Sequence, residues 1–348
     1  MIVDTHRHAY GVRTKQKMVE RGLVDPSKPF PQLRDPDVFM YASYWDTESS
    51  LQVQREAGVT TALLSGGSQV ETLSRSVFQV DALDVIRMTF EDRVALTQEH
   101  PGDFAAMIDA NPHDARCLKL VEEAIDSGEA KAVSIATSYG TGAERRFLDA
   151  PECEWLWEFA EARGVVVHAH PPLVPFGAEY LDRYRLLEAV GRPFDTALSI
   201  ARAILAGVFD RHPRLQIVAV HMGGALPAVL GRLDFNWRLN YEGIADPPSH
   251  KVLRNERPPE TYLRTNLYTD TMGFSPTGIR QSVELFGIDR IFLGTDFGPL
   301  PFSPREHVDI VRSVLQAPED QEKVLWRNAT RVFGLAANED LGAHAEPA

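Results

Sequence analysis

The sequence predicts an α/β fold, and within that class a (β/α)8 TIM barrel. Three observations predict it. Short β-branched runs alternate with longer helical patterns, as in a chain of βα units. Several runs are apolar at every position, such as Val165-Val166-Val167 and Ile217-Val218-Ala219-Val220, as strands covered on both faces should be. Glycines stand where a helix should end and a strand begin, at Gly58, Gly128, Gly164 and Gly287.

In order, the predicted strands are Ile2–Asp4, Thr60–Ser65, Asp103–Asp109, Ala132–Ala136, Val165–His168, Leu215–Val220, Leu263–Asp270 and Arg290–Gly294. The predicted helices between them are Asp81–Glu99, Ala115–Ser127, Glu152–Arg163, Thr196–Arg211 and Thr277–Phe286. Eight βα units make the closed barrel the economical arrangement. A doubly wound open sheet is the alternative, but no GxGxxG or GxxxxGKS/T follows a strand.

Two segments break the repeat. Segment 10–46, after strand one, carries Pro26, Pro29, Pro31 and Pro36, then Phe39, Met40, Tyr41, Tyr44 and Trp45. Segment 237–261, after strand six, carries Pro247, Pro248, Pro258 and Pro259. Long irregular excursions after barrel strands build the active-site rim. The expectation is one domain over 1–336, with both segments as active-site insertions, and a polar tail at 337–348.

Composition sets the outer bounds. The 348 residues are 44% hydrophobic and 24% charged, which fits a globular chain with a full core and excludes disorder, collagen and coiled coil. Lys and Arg total 36 against 49 Asp and Glu, for a net charge of −13. That balance repels phosphate backbones and anionic membranes, so no nucleic-acid or membrane partner is expected. An acidic small-molecule substrate would need a local cationic patch. Cys117 and Cys153 are far apart with no CxxC, which argues against a disulfide framework and a thiolate metal site. No apolar run approaches the ~18 residues of a membrane span. Met1-Ile2-Val3-Asp4 has no basic n-region or apolar h-region, so the expected location is the cytoplasm.

The histidines carry the chemistry. His6 and His8 follow strand one in Asp4-Thr5-His6-Arg7-His8. In an extended chain residues i and i+2 face the same side, so the two imidazoles are placed to grip one cation. His168 and His170 repeat the pattern at the end of strand five. His221 ends strand six in Val220-His221-Met222-Gly223-Gly224, and Asp296 ends strand eight in Gly294-Thr295-Asp296-Phe297. Taken singly, each is an ordinary strand-end residue or turn cap. Together they lie at strand C-termini, where barrel active sites sit, and strands one, five, six and eight surround one axis. His and carboxylate ligands without Cys suit Zn, Mn, Fe or Co.

These motifs resemble the amidohydrolase-related metal-dependent barrels, and within them the aminocarboxymuconate-semialdehyde decarboxylase branch. The resemblance runs from Ile2 to about Leu335 and is densest in Ile204–Pro213, His221–Trp237, Pro258–Leu263 and Arg290–Pro301. It implies that His6, His8, His170 (the histidine next to Pro171) and Asp296 hold one divalent ion, with Zn2+ expected and Mn2+ the second choice. His168 would be a neighbour with a packing or supporting role. The resemblance also implies catalytic roles for His221 and Asp296, and a substrate-carboxylate role for Arg232 across a homodimer interface. Phe297 and Trp45 are further expected substrate contacts. Strand four ends without the lysine that binuclear relatives use, so a single metal is expected. The branch's second substrate arginine falls on Val38 here, seven residues before Trp45-Asp46, which directs attention to aromatic acids beside muconate-like ones.

Two reaction classes fit those residues. The first is a nonoxidative decarboxylase of a small aromatic or muconate-like carboxylic acid. The second is a hydrolase of an amide or lactone using metal-activated water. A third reading is a barrel that only binds a ligand. The resemblance and Arg232 favour decarboxylation.

Overall fold

Eight parallel strands follow one another in chain order: β1 (Val3–Arg7), β2 (Thr61–Leu64), β3 (Phe104–Asp109), β4 (Ala130–Ala136), β5 (Val167–His170), β6 (Ile217–Ala219), β7 (Leu267–Asp270) and β8 (Ile291–Phe292). The structure, a computed structural model, describes residues 1–23, 44, 46–243, 252–299 and 302–336. The last strand returns to the first. Thr5 N–H donates to Leu293 O at 2.9 Å, Asp296 N–H to His6 O at 2.8 Å, and His8 N–H to Phe297 O at 2.9 Å. These bonds close the ring, so the fold is the (β/α)8 barrel the sequence predicts.

The helices that matter below are α1 (Val12–Glu20), α2 (Thr47–Glu56), α3 (Ala82–Glu99), α4 (Cys117–Asp126), α5 (Glu154–Arg163), α6 (Arg192–Leu205), α7 (Leu226–Tyr241), α8 (Pro259–Thr265), α9 (Pro276–Phe286), α10 (Pro304–Val314) and α11 (Asn328–Phe333). Their signals are local. Asp46 caps α2 by accepting the Ser49 N–H at 3.1 Å. Gly58, Gly128, Gly164 and Gly287 all have positive φ, between 63° and 88°, at the helix-to-strand junctions. In α6, Ala197, Ile200, Ala201 and Ile204 are buried at helical spacing, and each isoleucine contributes about 1.5–3 kcal/mol by leaving water.

Strand alternation separates two apolar layers. Val133, Ile135, Val167, Ala169, Ile217 and Ala219 face outward into a core shared with Trp157, Ile200, Ile204 and Phe286. Val3, Leu63, Met107, Ala132, Val166, Val218, Tyr268 and Phe292 face inward and meet Ala329 and Phe333 of α11, which stops the barrel's lower end. Above this floor the inward positions turn polar, and the site begins there.

Several expected boundaries shift. β1 runs through His6 to Arg7, and β5 through His170, so both HxH pairs lie in or against strands rather than beyond them. The expected helix Thr196–Arg211 breaks after Leu205, where Gly207 at φ +71° restarts a short turn over Val208–Arg211. The expected strand Leu263–Asp270 begins inside α8 and becomes a strand only at Leu267. Of the two irregular segments, 10–46 contains α1, while 237–261 holds the end of α7 and the start of α8. Trp45, Val38 and the tail 337–348 lie outside the described residues.

Candidate metal centre

Val3 and His6 both belong to the barrel interior although they are three residues apart. Strict alternation would place them on opposite faces. The register between β1 and β2 shifts between Asp4 and Arg7, and that irregularity absorbs the odd residue. Asp4 holds the irregular stretch. Its carboxylate accepts the backbone N–H of His6 at 3.0 Å and that of Thr295 at 3.1 Å, tying β1 to the loop after β8.

The result is one cluster. His6, His8, His170 and Asp296 are buried, and each offers a ligand atom within 4.8 Å of the others. Asp296 Oδ1 lies 3.0 Å from His8 Nε2, 3.4 Å from His6 Nε2 and 4.0 Å from His170 Nε2. Such separations are those of ligand atoms around a point about 2.1 Å from each.

The other nitrogen of each imidazole is already committed. His6 Nδ1 bonds Asp270 Oδ2 at 2.7 Å, His8 Nδ1 bonds the Ser65 carbonyl at 2.9 Å, and His170 Nδ1 bonds the Pro171 carbonyl at 2.7 Å. Each acceptor fixes the proton on Nδ1 and turns the Nε2 lone pair toward the cluster. His6 Nε2, His170 Nε2 and Asp296 Oδ1 are then buried with no hydrogen-bond partner. Buried polar atoms without partners are rare and costly, and a divalent cation satisfies all three at once. The residues present therefore fit one divalent metal ion.

Charge within the cluster follows from proximity. Burial would raise Asp296, but His6, with His221 and His8, holds its carboxyl well below the usual range. Burial pushes His170 well below its ordinary value, and the neighbouring imidazoles, His6 first, add to it. His6 moves the other way: burial opposes, yet the Asp296 and Asp270 carboxylates outweigh it.

His221 stands beside the cluster. Its Nε2 is 3.4 Å from Asp296 Oδ2 and is buried without a hydrogen-bond partner. The turn that carries it is strained, with φ +59° at His221 and +56° at Met222, and Asp296 has φ +52°. Non-glycine residues held at positive φ cost free energy and gather at functional sites. Gly224, three residues after His221, has no room for a side chain, since a Cβ there would collide with the Pro193 carbonyl oxygen.

The remaining expected site residues are placed differently. His168 lies below the cluster, fully buried, its ring centroid 5.4 Å from that of His6. Phe297 is buried with its ring 5.2 Å from the Arg7 guanidinium. Arg232 is exposed on α7, whose Leu226 and Leu230 face the core.

Sequence reasoning missed Asp270. It ends β7 as Asp296 follows β8, and a carboxylate at a strand's upper end was the available signal. Tyr44, in the aromatic segment the sequence points to, stacks on Tyr10 at 4.8 Å, a pairing the sequence does not reveal, with its ring centroid 6.3 Å from that of His8. Gln69 joins the two phenols by hydrogen bonds of 2.5 and 2.6 Å.

Fold and site together define a barrel with a mononuclear histidine–aspartate centre. The sequence profile of the amidohydrolase family matches residues 3–335, and the chain belongs to that family. A 2-amino-3-carboxymuconate-6-semialdehyde decarboxylase of Dictyostelium discoideum is 28% identical over 205 residues, 58% of this chain and about half (54%) of the relative. A gamma-resorcylate decarboxylase of Polaromonas sp. (strain JS666) is 25% identical over 335 residues, 92% of this chain and 96% of the relative. Among solved structures, a dihydroxybenzoic acid decarboxylase from Polaromonas sp. JS666, with bound manganese and the inhibitor 2-nitroresorcinol, superposes with a TM-score of 0.76 at 20% identity. It covers 96% of this chain and 97% of that one.

Proposed function

We propose that this protein is a metal-dependent nonoxidative decarboxylase of a small aromatic or muconate-like carboxylic acid. The observation that carries the reading is the pairing of His221 with the four-residue cluster, at the interior end of a barrel whose relatives bear decarboxylase names. His6, His8, His170 and Asp296 would hold one divalent ion, zinc first and manganese second. When bound, that ion would act as Lewis acid and template for the substrate's oxygens.

The chain's own residues supply the rest. The stacked Tyr10 and Tyr44 rings offer a flat wall beside His8, suited to an aromatic ring. Decarboxylation leaves the electron pair of the broken C–C bond on carbon, which must take a proton as CO2 departs. Asp296 and His221 are the two residues placed to supply it. His221 Nε2 lies 3.4 Å from Asp296 Oδ2, so one of this pair would deliver the proton and the other would orient it. Phe297, packed on Arg7, serves the site by holding the turn after β8.

The second reading, hydrolysis of an amide or lactone, uses the same residues with a water as the attacking group. A panel separates the two. Metal-loaded protein should release CO2 from hydroxybenzoates or muconate-like acids and leave amides and lactones intact. Cleavage of amides or lactones without CO2 release from any acid would reverse the assignment. We place the enzyme in the cytoplasm as a homodimer, with Arg232 reaching the partner's site. In support of the dimer, Arg232 and Phe235 share one exposed face of α7.

A further inference from the structure

Among the described residues, one arginine at the loop end of the barrel makes no hydrogen bond and no ion pair. Its neighbours do. Arg7 is buried behind β1 between the rings of Phe104 and Phe297, and it donates to Ser50 Oγ at 2.8 Å. Arg93 is paired with Asp109, and Arg145 with Ser138, Asp195 and two backbone carbonyls. Arg7 and Arg93 also have buried guanidinium nitrogens without partners, but each makes at least one hydrogen bond, and Arg192 makes none. Among the described residues its guanidinium makes no hydrogen bond and no ion pair, and its Nε is buried without a partner.

The position of Arg192 is fixed from several sides. It opens α6, and that first turn is gripped by the loops after β4, β5 and β6. Asp195 accepts from Ser138 Oγ at 2.7 Å and from the Phe176 N–H at 2.7 Å, while the Pro193 carbonyl accepts the Ala225 N–H at 3.0 Å. Those loops leave the upper ends of the strands that carry His170 and lead to His221. Burial pushes the Tyr44 hydroxyl well above its ordinary range, Tyr10 and Asp296 add to the effect, and Arg192 opposes it. Arg192 is thus within electrostatic reach of the ring that stands beside His8.

We infer that Arg192, from within the same chain, binds the carboxylate of the substrate. The guanidinium fork matches a carboxylate in two parallel hydrogen bonds. It supplies the local cation an acidic ligand needs on a chain of net charge −13. The inference rests on the decarboxylase reading for the ligand being an aromatic acid.

The chemistry gives its signature. A carboxylate loses negative charge as it becomes CO2, so a cation that holds it binds the ground state at least as well as the transition state. Removing that cation should weaken binding more than it slows turnover. The test uses full-length, metal-loaded protein, with Arg192→Met, Arg192→Gln and Arg192→Lys. Binding of benzoate and of phenol is measured by calorimetry, and KM and kcat are measured on any acid the wild type turns over. Arg192→Met and Arg192→Gln should bind benzoate ten- to a hundredfold more weakly, as for lost charge-assisted bonds, with phenol unchanged. KM should rise with kcat within about threefold, and Arg192→Lys should recover part of the loss. Unchanged benzoate affinity in both neutral variants overturns the inference, as does an equal loss for phenol. Should no acid release CO2 from wild type, the decarboxylase reading falls, while the benzoate–phenol comparison still decides the role of Arg192.

Discussion

Asp270 accepts the Nδ1–H of His6 on one carboxylate oxygen at 2.7 Å, and with the other it accepts the backbone N–H of His221 at 2.8 Å. The second oxygen also takes the N–H groups of Met222 at 3.4 Å and Met272 at 3.1 Å. One buried side chain therefore sets the tautomer of a ligand and anchors the strained turn beside it.

That arrangement predicts the effect of removing it. Asp270→Ala leaves His6 free to rotate and three backbone N–H groups without an acceptor. Loss of such a partner costs about 10- to 100-fold in metal affinity. Chelator competition should show that loss in Asp270→Ala and a smaller one in Asp270→Asn, which keeps a backbone acceptor. Wild-type affinity in both would remove Asp270 from the centre.

The two HxH motifs predict unequal histidines. His170 turns Nε2 toward Asp296, whereas both nitrogens of His168 are buried without a partner below the cluster. Elemental analysis should find metal missing from His6→Ala, His170→Ala and Asp296→Ala, and largely retained in His168→Ala. The reverse order for the two β5 histidines would shift the centre by one layer.

Much of this was legible in the sequence because the signals are local. Apolar strand runs and junction glycines revealed the barrel, and polar residues at strand ends revealed the cluster. Pro171, through the resemblance, singled out His170 over His168, and the structure places His170 in the cluster. What escaped depends on contacts distant in sequence. Asp270 is 264 residues from His6, and no spacing rule links them. The β1 irregularity depends on Asp4 reaching Thr295, 291 residues on. Arg192 precedes the helix that the sequence predicts over Thr196–Arg211, and no motif singles it out. Only the packing of three loops around the first turn of α6 places it at the end of the barrel where the site lies.

A buried histidine outside the ligand set, hydrogen-bonded next to Asp270, predicts part of the acid limb of stability. His307 is fully buried, with Nε2 3.0 Å from Thr271 Oγ1, and burial pushes it down to about 4. The unfolded chain, with an ordinary value of 6.5, takes up the proton first. Stability is therefore intact above about 6.5 and is lost as pH falls toward 4. The loss is on the order of 3 kcal/mol, since each tenfold change in proton affinity corresponds to about 1.4 kcal/mol. Denaturant unfolding of His307→Gln should show a flatter pH dependence in that window. An unchanged slope would place the acid sensitivity elsewhere.

Assembly has its own test. Phe176, Tyr180, Tyr184, Phe194 and Phe235 are exposed, and exposed large apolar side chains are the kind of surface a second copy would cover. Sedimentation should show a dimer at micromolar concentration. Arg232→Ala should then lower kcat/KM about ten- to a hundredfold without dissociating it. A monomer at those concentrations would remove any role for Arg232 across subunits.

The reaction class is tested most directly by isotopes in the product. Metal-loaded protein is given an aromatic or muconate-like acid in D2O, and separately in water labelled with 18O, and the organic product is weighed by mass spectrometry. Proton delivery to carbon from the His221–Asp296 pair predicts one solvent deuteron at the vacated carbon and no 18O in the organic product. A product carrying 18O from water, formed without release of CO2, would contradict the decarboxylase account and assign the barrel to hydrolysis.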